Sequence, residues 1–98
     1  MSNARNEVTL EEVRRQGRED AIMACRDSGN ADTPDGGWDS WLVEGVGLRE
    51  LCRLFGEREE EQRDGWSCSM HKKLTAYHRG ALEGAAEWRE QNTQEQRR

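Results

Sequence analysis

Large apolar side chains are concentrated in the middle of this chain, in residues 38–56, where they recur in steps of three and four. That spacing is typical of a helix, and here it covers more than half of the helix circumference. Two flanking segments repeat the spacing with smaller side chains. The pattern predicts an all-α protein with a single domain spanning residues 1–98 and three main helices, at Leu10–Ser28, Trp38–Phe55 and Met70–Gln91.

Local signals predict where these helices begin and end. Thr9 is followed three residues later by Glu12, which is a capping-box pattern. Gly29 suits the left-handed residue just beyond the first helix. Residues 29–37 contain several turn-forming residues and the only proline, so they are predicted to form a loop. The expected N-cap of the second helix is Asp39 or Ser40, and that helix is expected to end at Gly56. The expected N-cap of the third helix is Ser67 or Ser69.

Three segments are too polar to belong to a core. Residues 57–64 have helical propensity but no apolar face, and they are predicted to form a short, solvated linker helix. Residues 1–8 and 92–98 are expected to be frayed tails.

The apolar helix 38–56 is expected to be the central element, against which the rest of the chain packs. Gly45 and Gly47 inside it require either close helix packing or a kink, and close packing is our preferred explanation. The flanking helices carry small residues four positions apart, so we expect them to approach the central helix or each other closely. These small residues are Gly17 and Ala21 in the first helix, and Gly80 and Gly84 in the third.

The composition predicts a small core. Only 33% of the 98 residues are hydrophobic and 36% are charged, and the mean hydropathy is -1.16. A short chain buries a modest share of its surface, so the stability of this one should be low. We therefore expect a second copy or a partner to complete the fold, with a homodimer as the specific prediction.

The net charge of -5 limits the class of partner. Sequence-independent binding to nucleic acid depends on an excess of Lys and Arg, so direct nucleic-acid binding is not expected. A partner with a basic surface is favoured instead. No apolar run reaches the ~18 residues that a membrane span needs, and the first residues do not resemble a secretion signal. We expect a cytoplasmic protein.

No catalytic or cofactor motif is present in the sequence. A glycine-rich phosphate loop, a paired-histidine zinc motif and a nucleophile elbow are all missing. Cys68 and His71 form a C-x-x-H pair, and with Cys25, Cys52 or His78 they give a zinc-stabilised regulator as one alternative. The favoured interpretation is a non-enzymatic protein with reduced thiols and no cofactor or metal.

Two groups of basic residues are interpreted as solvated helix faces. If they converge in space, they could contact RNA phosphates. They are Arg14, Arg15 and Arg18 in the first helix, and His71, Lys72 and Lys73 in the third.

The first half of the chain resembles ribosome modulation factor and its small bacterial relatives. The matching residues are R-x-x-G at Arg14 to Gly17, the segment Ala21 to Cys25, Pro34, and S-W-L-V-E-G from Ser40 to Gly45. The resemblance implies a pair of helices joined by a proline-containing loop. It also implies a ribosome- or RNA-associated function, which is the main alternative to a protein-binding one.

The chain has four tryptophans, a high number for so small a core. Trp38 and Trp66 lie at junctions between loop and helix, and binding energy is usually concentrated in a few Trp, Tyr and Arg residues. With the acids Asp35, Asp39 and Asp64, they are predicted to contact a basic partner, although they could instead cap the core. The favoured function is a phage or mobile-element inhibitor that docks on a host protein or nucleoprotein complex, of the anti-CRISPR type.

Overall fold

The computed structural model of the protein describes residues 8–96, and the side chains of residues 8–93. In this range the chain is all-α, as predicted, and it contains no strand. Three helices and one short 3-10 helix follow one another along the chain. They are α1 (Leu10–Ser28), α2 (Trp38–Phe55), the 3-10 helix (Glu59–Gln62) and α3 (Cys68–Gln96).

The ends of α1 follow the sequence signals. The Thr9 hydroxyl accepts from the Glu12 N–H at 3.1 Å, and the Thr9 N–H donates to the Glu12 carboxylate at 3.0 Å. Two amides that would otherwise lack partners are thereby satisfied. Gly29 adopts a left-handed φ of 82°, and its N–H donates to the Cys25 carbonyl. Both predicted signals are confirmed.

The first residue of α2 is capped from another helix. Neither Asp39 nor Ser40 is the N-cap, so that prediction is wrong; Gly37 occupies the position and offers no side chain. Instead, the Trp38 N–H donates to Nδ1 of His78 in α3, at 3.1 Å. This hydrogen bond ties the start of α2 to the middle of α3.

Removing the His78 imidazole should therefore weaken the start of α2. We expect His78→Ala to lower the free energy of unfolding by about 1 kcal/mol, the usual contribution of one hydrogen bond or cap. Urea denaturation followed by circular dichroism measures this. His71→Ala is the matched control, because His71 is exposed on the same helix and should change stability by less than about 0.5 kcal/mol. Equal effects of the two substitutions would contradict a capping role.

A kink interrupts α2 at Gly47, which has φ 83° and ψ 162°. Residues with side chains rarely adopt this φ. A Cβ added at Gly45 or Gly47 would meet no other group within 4 Å. The preferred explanation of close helix packing is therefore wrong for both glycines, and a kink is the reason for Gly47.

The closest helix contact joins α1 to α3 instead. A Cβ on Gly17 would lie 2.2 Å from the Tyr77 carbonyl oxygen, and one on Gly80 would lie 1.8 Å from the Arg14 oxygen. Gly84 approaches the Arg18 carbonyl in the same way. The two small-residue stripes thus pack against each other, which was one of the two predicted arrangements. The expectation that α2 is the central element is wrong. Helix α3 is central instead, because it packs closely along α1 and also contacts α2.

The core lies where these three helices meet. Its larger members include Trp38 and Leu51 from α2 and Tyr77 from α3, and the Phe55 and Tyr77 rings are 6.4 Å apart. Val8 also packs against the core, although it was predicted to belong to a frayed tail. The rest of that predicted tail, residues 1–7, lies outside the described residues.

The short polar helix predicted in the segment 57–64 is present, but it is shorter than predicted and one of its residues is buried. Only Glu59–Gln62 is helical, as a 3-10 helix, and Gln62 is buried. The Gln62 side chain donates to the Arg58 carbonyl at 3.1 Å and accepts from the Ser67 N–H at 2.8 Å. A polar side chain here holds the turn closed by satisfying two backbone groups.

Helix α3 is longer than predicted at both ends. The Ser67 hydroxyl accepts from the Met70 N–H at 3.1 Å, so Ser67, one of the two proposed serines, caps it. The helix begins at Cys68 and continues to Gln96, five residues beyond the predicted end at Gln91. Part of the predicted C-terminal tail is therefore helical.

Candidate functional site

Trp66 is the large aromatic residue whose position best suits a contact surface. It precedes α3, and its side chain is 41% exposed. With Asp39, it borders a shallow cavity of about 160 Å³, which is also lined by Ser40, Val43, Glu44 and Leu74. The fold thus brings together two predicted site residues that are 27 positions apart in the sequence.

The surroundings of Trp66 are acidic. Two of the cavity-lining side chains are carboxylates, Asp39 and Glu44, and no lining residue is a lysine or an arginine. Asp35 and Asp64 are exposed but do not line this cavity. The combination of an exposed indole and nearby carboxylates suits a partner with a cationic group beside an apolar one. We call the residues lining this cavity the Trp66 face.

Trp38 does not belong to any exposed surface. Its side chain is 2% exposed, and it stacks edge to face on Trp41, with 5.3 Å between ring centroids. The prediction that Trp38 contacts a partner is therefore corrected, since a buried ring cannot do so in the folded chain. Trp38 instead lies at the first position of α2 and is buried in the core, as the alternative interpretation expected.

Trp41 lies on the apolar stripe of α2 and was not among the predicted site residues, yet it is partly exposed. It is 39% exposed and, with Trp38, borders a cavity of about 300 Å³ between α1 and the loop at Pro34. The indole N–H of Trp38 has no hydrogen-bond acceptor in the described part of the chain. Periodicity could not have separated these two tryptophans, because apolar residues surround most of α2.

The basic residues take three different positions. Arg18 pairs with Glu87 at 2.6 Å, and the Lys73 ammonium is buried in a pair with Glu57. Arg15 lines a groove between α1 and α2. Three of the predicted group do converge on a separate groove between α1 and α3, where a further basic residue joins them. These are Arg14, His71, Lys72 and Arg79.

Two of the three thiols are held in their protonated form by their surroundings. Burial raises the pKa of Cys25 and of Cys52, which disfavours the nucleophilic thiolate. Cys68 is exposed. In residues 8–93, no three His, Cys, Asp or Glu side chains lie together in a way that could hold a metal ion. The Cys68–His71 pair thus gains no third ligand there, and the zinc alternative receives no support.

The Tyr77 hydroxyl is a structural donor at the bottom of the groove between α1 and α2. It donates to the Asp20 carboxylate at 2.7 Å. Burial raises the pKa of this phenol, and the hydrogen bond and charge of Asp20 raise it further. The phenol therefore remains protonated and links α3 to α1.

No helix in the described range is both long enough and apolar enough to cross a membrane. Comparison with known proteins adds no relative, since no family model, curated protein or solved structure matches this chain.

Proposed function

We propose that this protein is a non-enzymatic inhibitor of phage or mobile-element origin that docks on a host protein or nucleoprotein complex, of the anti-CRISPR type. The observation that carries the proposal is the Trp66 face, an exposed indole beside the carboxylates of Asp39 and Glu44. A basic host surface is the complementary partner. The proposal implies a cytoplasmic site of action and includes self-association of the protein.

Two physical arguments support this assignment. An exposed indole offers a large contact area and loses little conformational freedom on binding, and tryptophan is enriched among the residues that dominate interface energies. Carboxylates around it would speed the encounter with a basic surface and select against acidic ones. The net charge of -5 also attracts a basic partner, over longer distances than the individual carboxylates do.

Replacing Trp66 by alanine tests the proposal. A host complex is first captured with the wild-type protein and identified, and its dissociation constant is measured with purified components. We expect Trp66→Ala to weaken binding by about 30-fold, which corresponds to about 2 kcal/mol for a dominant interface residue. Its helical signal and melting temperature should remain close to those of the wild type, because Trp66 is partly exposed.

Trp38→Ala is the matched control, since Trp38 is buried. It should lower the free energy of unfolding by about 3 kcal/mol or more through the cavity that it leaves. If Trp66→Ala also unfolds the protein, or binds the host complex as tightly as the wild type, the Trp66 face is not the docking site.

A further inference from the structure

A groove between the beginning of α1 and the first half of α3 is lined mainly by basic side chains. It has a volume of about 640 Å³. Its lining includes three basic side chains, Arg14, Lys72 and Arg79, against one carboxylate, Glu11. His71 adds a fourth basic side chain, and Leu10 and Ala76 provide apolar surface. This is a local reversal of charge in a chain whose net charge is -5.

Among the side chains of residues 8–93, most of these basic groups form no direct ion pair. Arg14 pairs with Glu83, but in residues 8–93 no carboxylate lies within ion-pair distance of His71, Lys72 or Arg79. His71 and Lys72 also lie near the N-terminus of α3, where the helix dipole disfavours positive charge. Helix stability therefore does not explain their presence, whereas binding of an anionic group would.

The same chain exposes a complementary acidic segment. The 3-10 helix begins with Glu59, Glu60 and Glu61, and all three are exposed. Glu59 lies 3.7 Å from Arg49, but within the described side chains Glu60 and Glu61 have no cation at ion-pair distance. Unpaired carboxylates and unpaired cations thus coexist in one molecule.

Both features lie at the same end of the molecule. The Ser67 N–H donates to Gln62, and the Ser69 hydroxyl donates to Glu57 at 2.6 Å, which fixes the acidic turn beside the start of α3. Lys73 faces that turn, whereas Lys72, about 100° around the helix, lines the groove. Because the turn and the groove lie on neighbouring faces of this end, two copies can pair about a twofold axis. The turn of each copy then contacts the groove of the other, so the same contact is made twice.

We propose that the groove is the self-association site of this protein and that it receives the acidic turn of a second copy. Lys72 and Arg79 of one protomer face Glu60 and Glu61 of the partner subunit, and Leu10 contacts the methylene groups of those side chains. A protein partner is favoured over nucleic acid because no Trp, Tyr or Phe side chain lines the groove for base stacking. The inference rests on the proposed self-association and is independent of host docking.

Sedimentation velocity with charge-reversed variants tests this arrangement. The wild type should sediment as a dimer at about 50 mM NaCl, with a dissociation constant that rises at least about tenfold at 500 mM, because salt screens exposed charges. Lys72→Glu/Arg79→Glu and Glu60→Lys/Glu61→Lys should each be monomeric. An equimolar mixture of the two variants should recover the dimer mass, since each supplies the charge that the other requires.

Arg15→Glu/Arg26→Glu is the control, because it changes the net charge equally at two exposed residues outside the groove. It should remain dimeric. Lys72→Gln/Arg79→Gln repeats the groove test without reversing charge, and circular dichroism checks that every variant is folded.

Three results would overturn the proposal. These are a wild type that is monomeric at low salt, a dimer that neither salt nor the groove variants weaken, and a monomer whose groove instead binds single-stranded RNA. Trp66→Ala should leave the dimer intact, so failure of this inference is distinguishable from failure of host docking.

Discussion

Replacing Gly80 by alanine should lower the free energy of unfolding by about 3 kcal/mol or more. The added Cβ would lie 1.8 Å from the Arg14 carbonyl oxygen, where a normal contact needs more than 3 Å. The obstacle is backbone, so no change of rotamer can relieve it, and α1 must move away from α3 along its length. Alanine's better helix propensity, worth about 1 kcal/mol, offsets only part of this loss.

Gly45→Ala is the matched control for Gly80→Ala. Gly45 is helical, and a Cβ there would meet nothing within 4 Å. The substitution should stabilise the protein by up to about 1 kcal/mol, through helix propensity alone. Urea denaturation of both variants measures the contrast. If the two substitutions change stability in the same direction, α1 and α3 are not in backbone contact at Gly80.

Replacing Lys73 by methionine should lower the free energy of unfolding by about 3 kcal/mol, because it leaves a buried carboxylate without its cation. The Lys73 ammonium donates to the Phe55 carbonyl at 2.5 Å and to Glu57 at 2.6 Å. The two side chains are only 11% and 8% exposed. The pair therefore fastens the end of α2 to α3.

Two variants separate the charge effect from simple loss of packing. Lys73→Met/Glu57→Met removes both charges and should be more stable than Lys73→Met alone. Arg53→Met, which removes an exposed pair with Glu50, should cost less than about 0.5 kcal/mol. A double variant no more stable than Lys73→Met would show that the buried charge is not the cause.

The pH dependence gives a further test of the same pair. Burial raises the pKa of Glu57, but hydrogen bonds from Lys73 and Ser69 outweigh it and hold the pKa below its usual value of 4.5. The unfolded chain then takes up the proton first, so the stability contributed by Glu57 is present above pH 4.5 and is lost as the pH falls through the folded pKa. In Lys73→Met, the hydrogen bond from Lys73 that lowers the pKa of Glu57 is lost. Burial, which raises this pKa, is then opposed only by the hydrogen bond from Ser69. The stability difference between wild type and variant should therefore narrow on acidification.

Elements with local signals could be predicted from the sequence. Thr9, Glu12 and Gly29 fix the ends of α1 through bonds to nearby residues, so its bounds agree with the prediction. The bounds of α2 agree as well, with Gly56 ending the helix in a left-handed conformation. Local signals sufficed for both ends of α1 and for the C-terminal end of α2, because the geometry of these caps depends on a few consecutive residues.

Features that depend on distant contacts could not be predicted in this way. Large side chains suggested that α2 is central, yet the closest packing occurs where glycines permit two backbones to meet. The cap of Trp38 comes from His78, 40 residues away, so no local pattern indicates it. For the candidate site, the sequence pointed to Asp39 and Trp66, but it also pointed to the buried Trp38 and not to the partly exposed Trp41. Helical spacing alone did not show which side of α2 faces α3.

The pairing of α1 with α3 sets a condition on how the chain folds. Its ion pairs, Arg14 with Glu83 and Arg18 with Glu87, each join residues 69 positions apart. Closing so long a loop must precede the gain from the contact, so folding should be slower than in helical bundles whose neighbours are adjacent in sequence. During synthesis, the small-residue stripe of α1 has no partner until α3 has left the ribosome. Chains interrupted before Gly80 would lack most of α3, the helix against which both α1 and α2 pack.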